Sequence, residues 1–263
     1  MPSSSSVAAF VVAVALAMPV GAQSSPGVAP VGPGSGDTAP PLTAPAGRVL
    51  LPGAWHYQVL MARGDQRMEL ARRTVRVLPA PGDPSVWLVL EETDSHGRLM
   101  ADSLLVRRAD LRPMSRAATM GPVRMSLSFG QDSVRGAMTA PGGDSLPVSL
   151  PSAPGLVASG AMLESLLTIA PLDSGWAATA VQVVPGPAGV ALVPVTLRVE
   201  AVESVPALDG DHLAWRMSAT AADAQQWLWV DRESGRLLRM ESMAPQSPDV
   251  RYLTVLERSE PGS

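Results

Sequence analysis

The chain has 263 residues, 46% hydrophobic and 17% charged, a balance that lets a domain of this length stand on an apolar core. Its net charge of −4 argues against an electrostatic nucleic-acid binder, and the absence of cysteine removes disulfides, thiol catalysis, thiolate metal sites and a cysteine-linked lipid anchor. Lysine and asparagine are missing as well, all 20 basic residues being arginine, so no Schiff-base or general-base lysine exists.

Residues 1–22 carry an apolar run from Val7 to Val20 followed by Gly21-Ala22. The run falls short of the roughly 20 residues that span a bilayer, and Pro19 interrupts it. It predicts a cleaved secretory signal peptide, although the usual positive start is missing, with no stable transmembrane anchor left behind and a periplasmic or extracellular destination. Residues 23–49, rich in Pro, Gly, Ser and Ala, bury too little to offset their chain entropy and are expected to form a disordered linker.

From residue 50 to 259 the dominant period is two, with about a dozen candidate strands separated by Gly, Pro and Asp turns. The stretch "VRMSLSF" sets Val123, Met125, Leu127 and Phe129 against Arg124, Ser126 and Ser128, and "HLAWRM" sets Leu213, Trp215 and Met217 against Ala214 and Arg216. Arginine pairs such as Arg72-Arg73 and Arg107-Arg108 read as solvated strand positions. Between the strand runs, "SLPSAPGLVASG" reads as a Pro-rich connection. One amphipathic helix follows it at 160–169, with Met162, Leu163, Leu166, Leu167 and Ile169 at helical spacing. A lone helix of this kind closes the open face of a sheet. The final hairpin, "WLWVDRESGRLLRM", places Trp227 and Trp229 on one face and Leu228 and Val230 on the other, so both faces need cover.

Catalytic chemistry finds no foothold. His56, His96 and His212 lie in separate contexts, without an HExxH or other metal-binding spacing, so neither a metal nor a cofactor is expected. The run "TDSHG" at 93–97 puts Asp, Ser and His side by side in a turn, which denies them triad geometry. Glu91 and Glu92 are strand neighbours and point to opposite faces, so they cannot share a proton. The chain therefore reads as a protein without catalytic residues; a hydrolase using His212 with Asp209 or Asp211 is the weakest alternative. Six Trp and 13 Met against two Phe suggest an adaptable apolar site, and GC-rich coding bias accounts for that balance equally well.

Four segments taken in order, 102–116, 165–183, 197–220 and 227–242, resemble the bacterial envelope family catalogued as domain of unknown function 3108. The elements that carry the likeness are Leu111-Arg112-Pro113, Ala170-Pro171-Leu172 with Gly175, Gly210 to Trp215, and Trp229 to Arg239. The resemblance implies the fold of LolA- and LolB-type lipoprotein carriers: a mainly β protein with a single strongly curved antiparallel sheet, an open half-barrel under helical cover. It implies no reaction. On this basis Trp215, Trp227, Trp229, Met125, Phe129, Leu163 and Leu166 are the expected ligand-binding residues, for a lipid or a lipoprotein acyl chain. The alternative is a structural or interaction module with a self-filled core and an envelope protein partner.

Overall fold

The period-two stretches become strands, and each strand pairs with the next in sequence except at one place, where two consecutive strands form the opposite edges of the sheet. The computed structural model describes residues 39–45, 49–139, 142–186, 189–222, 224–244 and 247–262; the expected signal peptide and most of the linker lie outside these. The first eight strands are β1 (Gly53–Arg63), β2 (Gln66–Ala80), β3 (Asp83–Ser95), β4 (Arg98–Arg107), β5 (Pro113–Met120), β6 (Val123–Phe129), β7 (Ser133–Thr139) and β8 (Ser145–Pro151). Then come β9 (Leu156–Val157), helix α1 (Gly160–Ile169), β10 (Ala177–Gly186), β11 (Gly189–Ala207), β12 (Gly210–Ala221), β13 (Ala224–Asp231), β14 (Leu237–Ala244) and β15 (Ser247–Pro261). They form one 15-stranded sheet running from β8 back to β1, on to β15, and back to β9. The β1–β15 pairing joins the two meanders, and all contacts are antiparallel except β9 on β10. Register shifts at His56/Tyr57, Val59/Leu60, Val199/Ala201 and Trp229/Val230 insert extra residues, which sharpen the twist and curl the sheet.

The sheet is open, with β8 and β9 as its two edges, but side chains near its two ends pack together. Met125, Leu127, Val134, Met138 and Val148 from β6 to β8 pack with Val183 of β10, and Leu156 and Leu192 lean on the same cluster. The expected strongly curved antiparallel sheet is thus what forms.

Helix α1 starts where Ser159 accepts a hydrogen bond from the Met162 amide at 3.2 Å, and stops before Pro171, whose ring forces Ala170 into extended backbone. Rather than lying over a rim with one wet face, it is buried on nearly every side, only Glu164 and Thr168 escaping full burial. It touches β3, β9 and β14. The turn after β13 holds it at the other end: Gly235 has φ of 71°, and a Cβ there would overlap the Thr168 carbonyl oxygen. Gly235→Ala is therefore expected to cost about 2–4 kcal/mol, combining left-handed strain with overpacking, as read from urea unfolding midpoints.

Two expectations need correction. The connection "SLPSAPGLVASG" (149–160) contains the last three residues of β8 and all of β9; Pro147 and Pro151 of β8 are tolerated because β8 is an edge of the sheet, paired with β7 alone among the described strands. Residues 39–45, read as part of the disordered linker, dock instead: the Leu42 amide donates to Thr179 O at 2.8 Å, the Thr179 amide donates to Pro40 O at 2.7 Å, and Leu42 is buried. A single large apolar side chain and an unpaired strand edge are enough to hold this short stretch.

Candidate functional site

Cross-strand partners share a face, so register shows which side of the sheet looks at α1. Arg73 reaches Glu164 of α1, and from it the facing pairs run Tyr57, Leu256, then Thr254 to Met240 to Leu228 to Met217. That is the concave face. Trp215 lies on it, two residues before Met217, together with the buried Leu163 and Leu166 of α1.

Trp227 and Trp229 lie on the opposite, convex face. Their neighbours there are Ser218, Arg216 and Arg239. The Trp229 indole N–H donates to Glu203 Oε2 at 2.9 Å, and the Arg239 guanidinium carbon stands 4.7 Å from its ring centroid. Arg216 covers Trp227 at 5.0 Å and donates to Glu203 Oε1 at 2.7 Å. Arginine stems and stacked guanidiniums, not the helix, cover these two rings. Met125 belongs to the cluster where side chains near the sheet's two ends pack together, and Phe129 touches both clusters. The seven expected residues thus fall into three places. Leu163, Leu166 and Trp215 share the interior; Met125 and Phe129 line the seam side; Trp227 and Trp229 are outside it.

The interior also holds charge that sequence patterning assigned to solvent. Arg73 is fully buried, unlike its exposed neighbour Arg72; its Nε donates to Glu91 Oε1 at 2.7 Å and its Nη atoms donate to both Glu164 oxygens at 2.7 and 3.1 Å. Burial would lower the Arg73 pKa, but Glu164 and Glu91 overcome it and hold the guanidinium well above its ordinary value. Burial also raises the Glu164 carboxyl against the pull of Arg73, and raises the Tyr57 phenol, whose ring lies 5.3 Å from Arg73. Nearby, Arg116 donates from Nη2 to Asp102 at 2.7 Å and from Nη1 to the carbonyls of Val183, at 3.0 Å, and Ala158. Burial raises the Asp102 carboxyl against the lowering effect of Arg116. Glu92 turns outward to Arg76, so the expected divergence of Glu91 and Glu92 holds. The signal available in the sequence was phase: Arg73 is in step with buried Ala71, Val75 and Val77.

These groups are arranged for holding. Glu91, Glu164 and Asp102 each accept from a guanidinium. His212 is clamped likewise, its Nδ1 2.8 Å from Asp231 Oδ2 and its Nε2 2.8 Å from Asp209 Oδ1. Asp211, the other partner considered for it, makes neither contact. Hydrogen bonds to Asp209 and Asp231 raise the His212 pKa, outweighing its slight burial; the bond from His212 lowers Asp209. A group whose folded pKa is raised lends stability below its unfolded pKa, about 6.5, and loses it as pH rises through the folded value. Wild type is therefore expected to lose stability relative to His212→Gln as pH climbs above about 6.5, by under about 1 kcal/mol for so open a site. Parallel urea curves across that range check it.

Among the described residues no group of three or more His, Asp or Glu side chains is disposed to hold a metal, and no helix is long and apolar enough to cross a membrane. No family model matches the chain, and no curated protein matches it. Solved structures do. A β-barrel-like protein of domain of unknown function 1849 from Brucella abortus superposes with a TM-score of 0.53 at 12% identity, over 82% of this chain and 100% of that one. The fold is shared. A putative exported protein with a YmcC-like fold from Bacteroides fragilis is similar over 85% of this chain and 99% of that one, at 11% identity and TM-score 0.35. A LolA superfamily protein from Nitrosomonas europaea is similar over 81% and 87%, at 10% identity and TM-score 0.21.

Proposed function

We propose that the protein is an exported, non-enzymatic envelope protein, related to domain of unknown function 3108 and to the LolA-type carriers, that takes a lipid-like apolar ligand such as an acyl chain into the concavity of its sheet. The observation that carries this reading is the surface beneath α1. Met162, Leu163, Leu166 and Leu167 are buried in one continuous cluster with concave-face residues such as Val89, Leu104 and Met217. Apart from the ion pair of Glu164, the side chains of α1 meet the wall through non-directional apolar packing, which a hydrocarbon chain reproduces if the helix moves aside. One observation favours a second reading, the interaction module with a self-filled core: Leu163 and Leu166 are already only 2% and 4% exposed.

Mass spectrometry of organic extracts from protein purified out of its native envelope fraction separates the two. Lipid recovered in amounts comparable to the protein supports the first reading. An extract free of lipid, with a protein partner co-purifying, overturns it in favour of the second.

A further inference from the structure

We infer that the ligand is an anionic amphiphile whose head group is received where Arg108 lies over Trp87, a reading that rests on the apolar-ligand function proposed above. Trp87 pairs with Val106 and is in phase with Val89 and Glu91, so it belongs to the concave face. It is 1% exposed, and its indole N–H is buried without a hydrogen-bond partner. Such groups are rare in folded proteins because the donor has given up water and received nothing in return.

Arg108 is the other half of the site. Its amide donates to Ser85 O at 2.8 Å, carrying the β3–β4 pairing one step past the end of β4 and placing its side chain on the face of Val106 and Trp87. The guanidinium carbon stands 3.6 Å from the Trp87 ring centroid, and among the described residues the guanidinium donates only from Nη1 to Pro84 O, at 2.8 Å. Among the described residues no carboxylate pairs with it. Asp110, two residues on, is engaged by Arg107, Asp102 by Arg116, and Asp83, at the start of the paired strand β3, accepts from Ser85.

Register places the start of β3, the end of β4 and the β11–β12 turn at the same end of the curved sheet. Half-buried Trp55 and Trp215 lie there on the concave face, and Leu208 of the β11–β12 turn and Leu213 near the start of β12 are exposed at 81% and 57%. An end of the sheet that carries both exposed apolar side chains and this cation suits a molecule with a hydrocarbon tail and an anionic head. A bare hydrocarbon would leave the indole N–H unmatched, whereas carboxylate or phosphate oxygens satisfy both the N–H and the open edge of the guanidinium. The tail then runs inward along the wall that α1 covers.

Isothermal titration of the full chain with oleate, oleoyl lysophosphatidic acid and oleyl alcohol tests this, in wild type, Trp87→Phe and Arg108→Gln. Trp87→Phe removes the N–H donor together with the pyrrole part of a buried ring, so its unfolding midpoint should fall by the cost of that small cavity, and unchanged binding of the alcohol then shows that the apolar wall is intact. The expected result is that at least one anionic probe binds wild type and weakens by about ten-fold or more in each variant, while the alcohol is unaffected. Whichever anion binds identifies the head group as carboxylate or phosphate. Anion affinities untouched by both substitutions, with all probes still binding, overturn the head-group site alone. If no probe binds wild type, the apolar-ligand reading falls, and this inference with it.

Discussion

Arg73→Met is expected to destabilise the protein by about 3–5 kcal/mol, because it strands Glu91 and Glu164 inside the sheet without their cation. For a domain of this size that corresponds to a melting temperature lower by roughly 6–20 °C. The loss comes mainly from the desolvated carboxylates left behind, so the triple replacement Arg73→Met, Glu91→Leu, Glu164→Leu should recover most of it. The pH dependence follows. Without Arg73 the Glu164 carboxyl, already raised by burial, rises further, and a group so raised favours folding below its unfolded pKa, about 4.3, and opposes it as pH climbs through the folded value. The defect should therefore be full near neutral pH and shrink toward about pH 4. Urea denaturation of the single and triple variants at both pH values checks this. A single variant within about 1 kcal/mol of wild type at neutral pH would show that water reaches the pair and screens it.

That network marks the boundary of what the sequence disclosed. A strand such as β6 was legible because it has one wet and one dry face, and α1 because its leucines recur at helical spacing. β8 was not, because two prolines in seven residues read as a connection unless the strand is known to be an edge. Trp227 and Trp229 were placed on one face correctly, but alternation does not say which of two apolar faces is concave. That depends on the pairing of β13 through β14 and β15 back to β1, which is long-range information. Charge misled in the same way. An arginine is read as solvated by default, and only its carboxylate partners, 18 and 91 residues further along the chain, make burial of Arg73 tolerable.

Arg116 shows how far such a residue organises the fold. It stands on β5, pairs with Asp102 of β4, and donates to the carbonyls of Ala158 and Val183, one just before the cap of α1 and the other on β10. One guanidinium thereby joins the β1–β8 half of the sheet to the strands that follow α1. Arg116→Met leaves a buried carboxylate and two carbonyls without donors and is expected to cost about 4 kcal/mol or more. Arg116→Lys keeps the charge beside Asp102 but loses the planar fork that serves three acceptors, so about 1–3 kcal/mol is expected. Location discriminates this from a general loss of stability. Amide exchange should quicken first at the seam, where the Val181 amide donates to Gly155 O at 2.8 Å, and at the start of α1, while the β1–β15 pairing stays protected. Uniform acceleration across the sheet would mean that Arg116 contributes to the core as a whole and does not fasten its two ends.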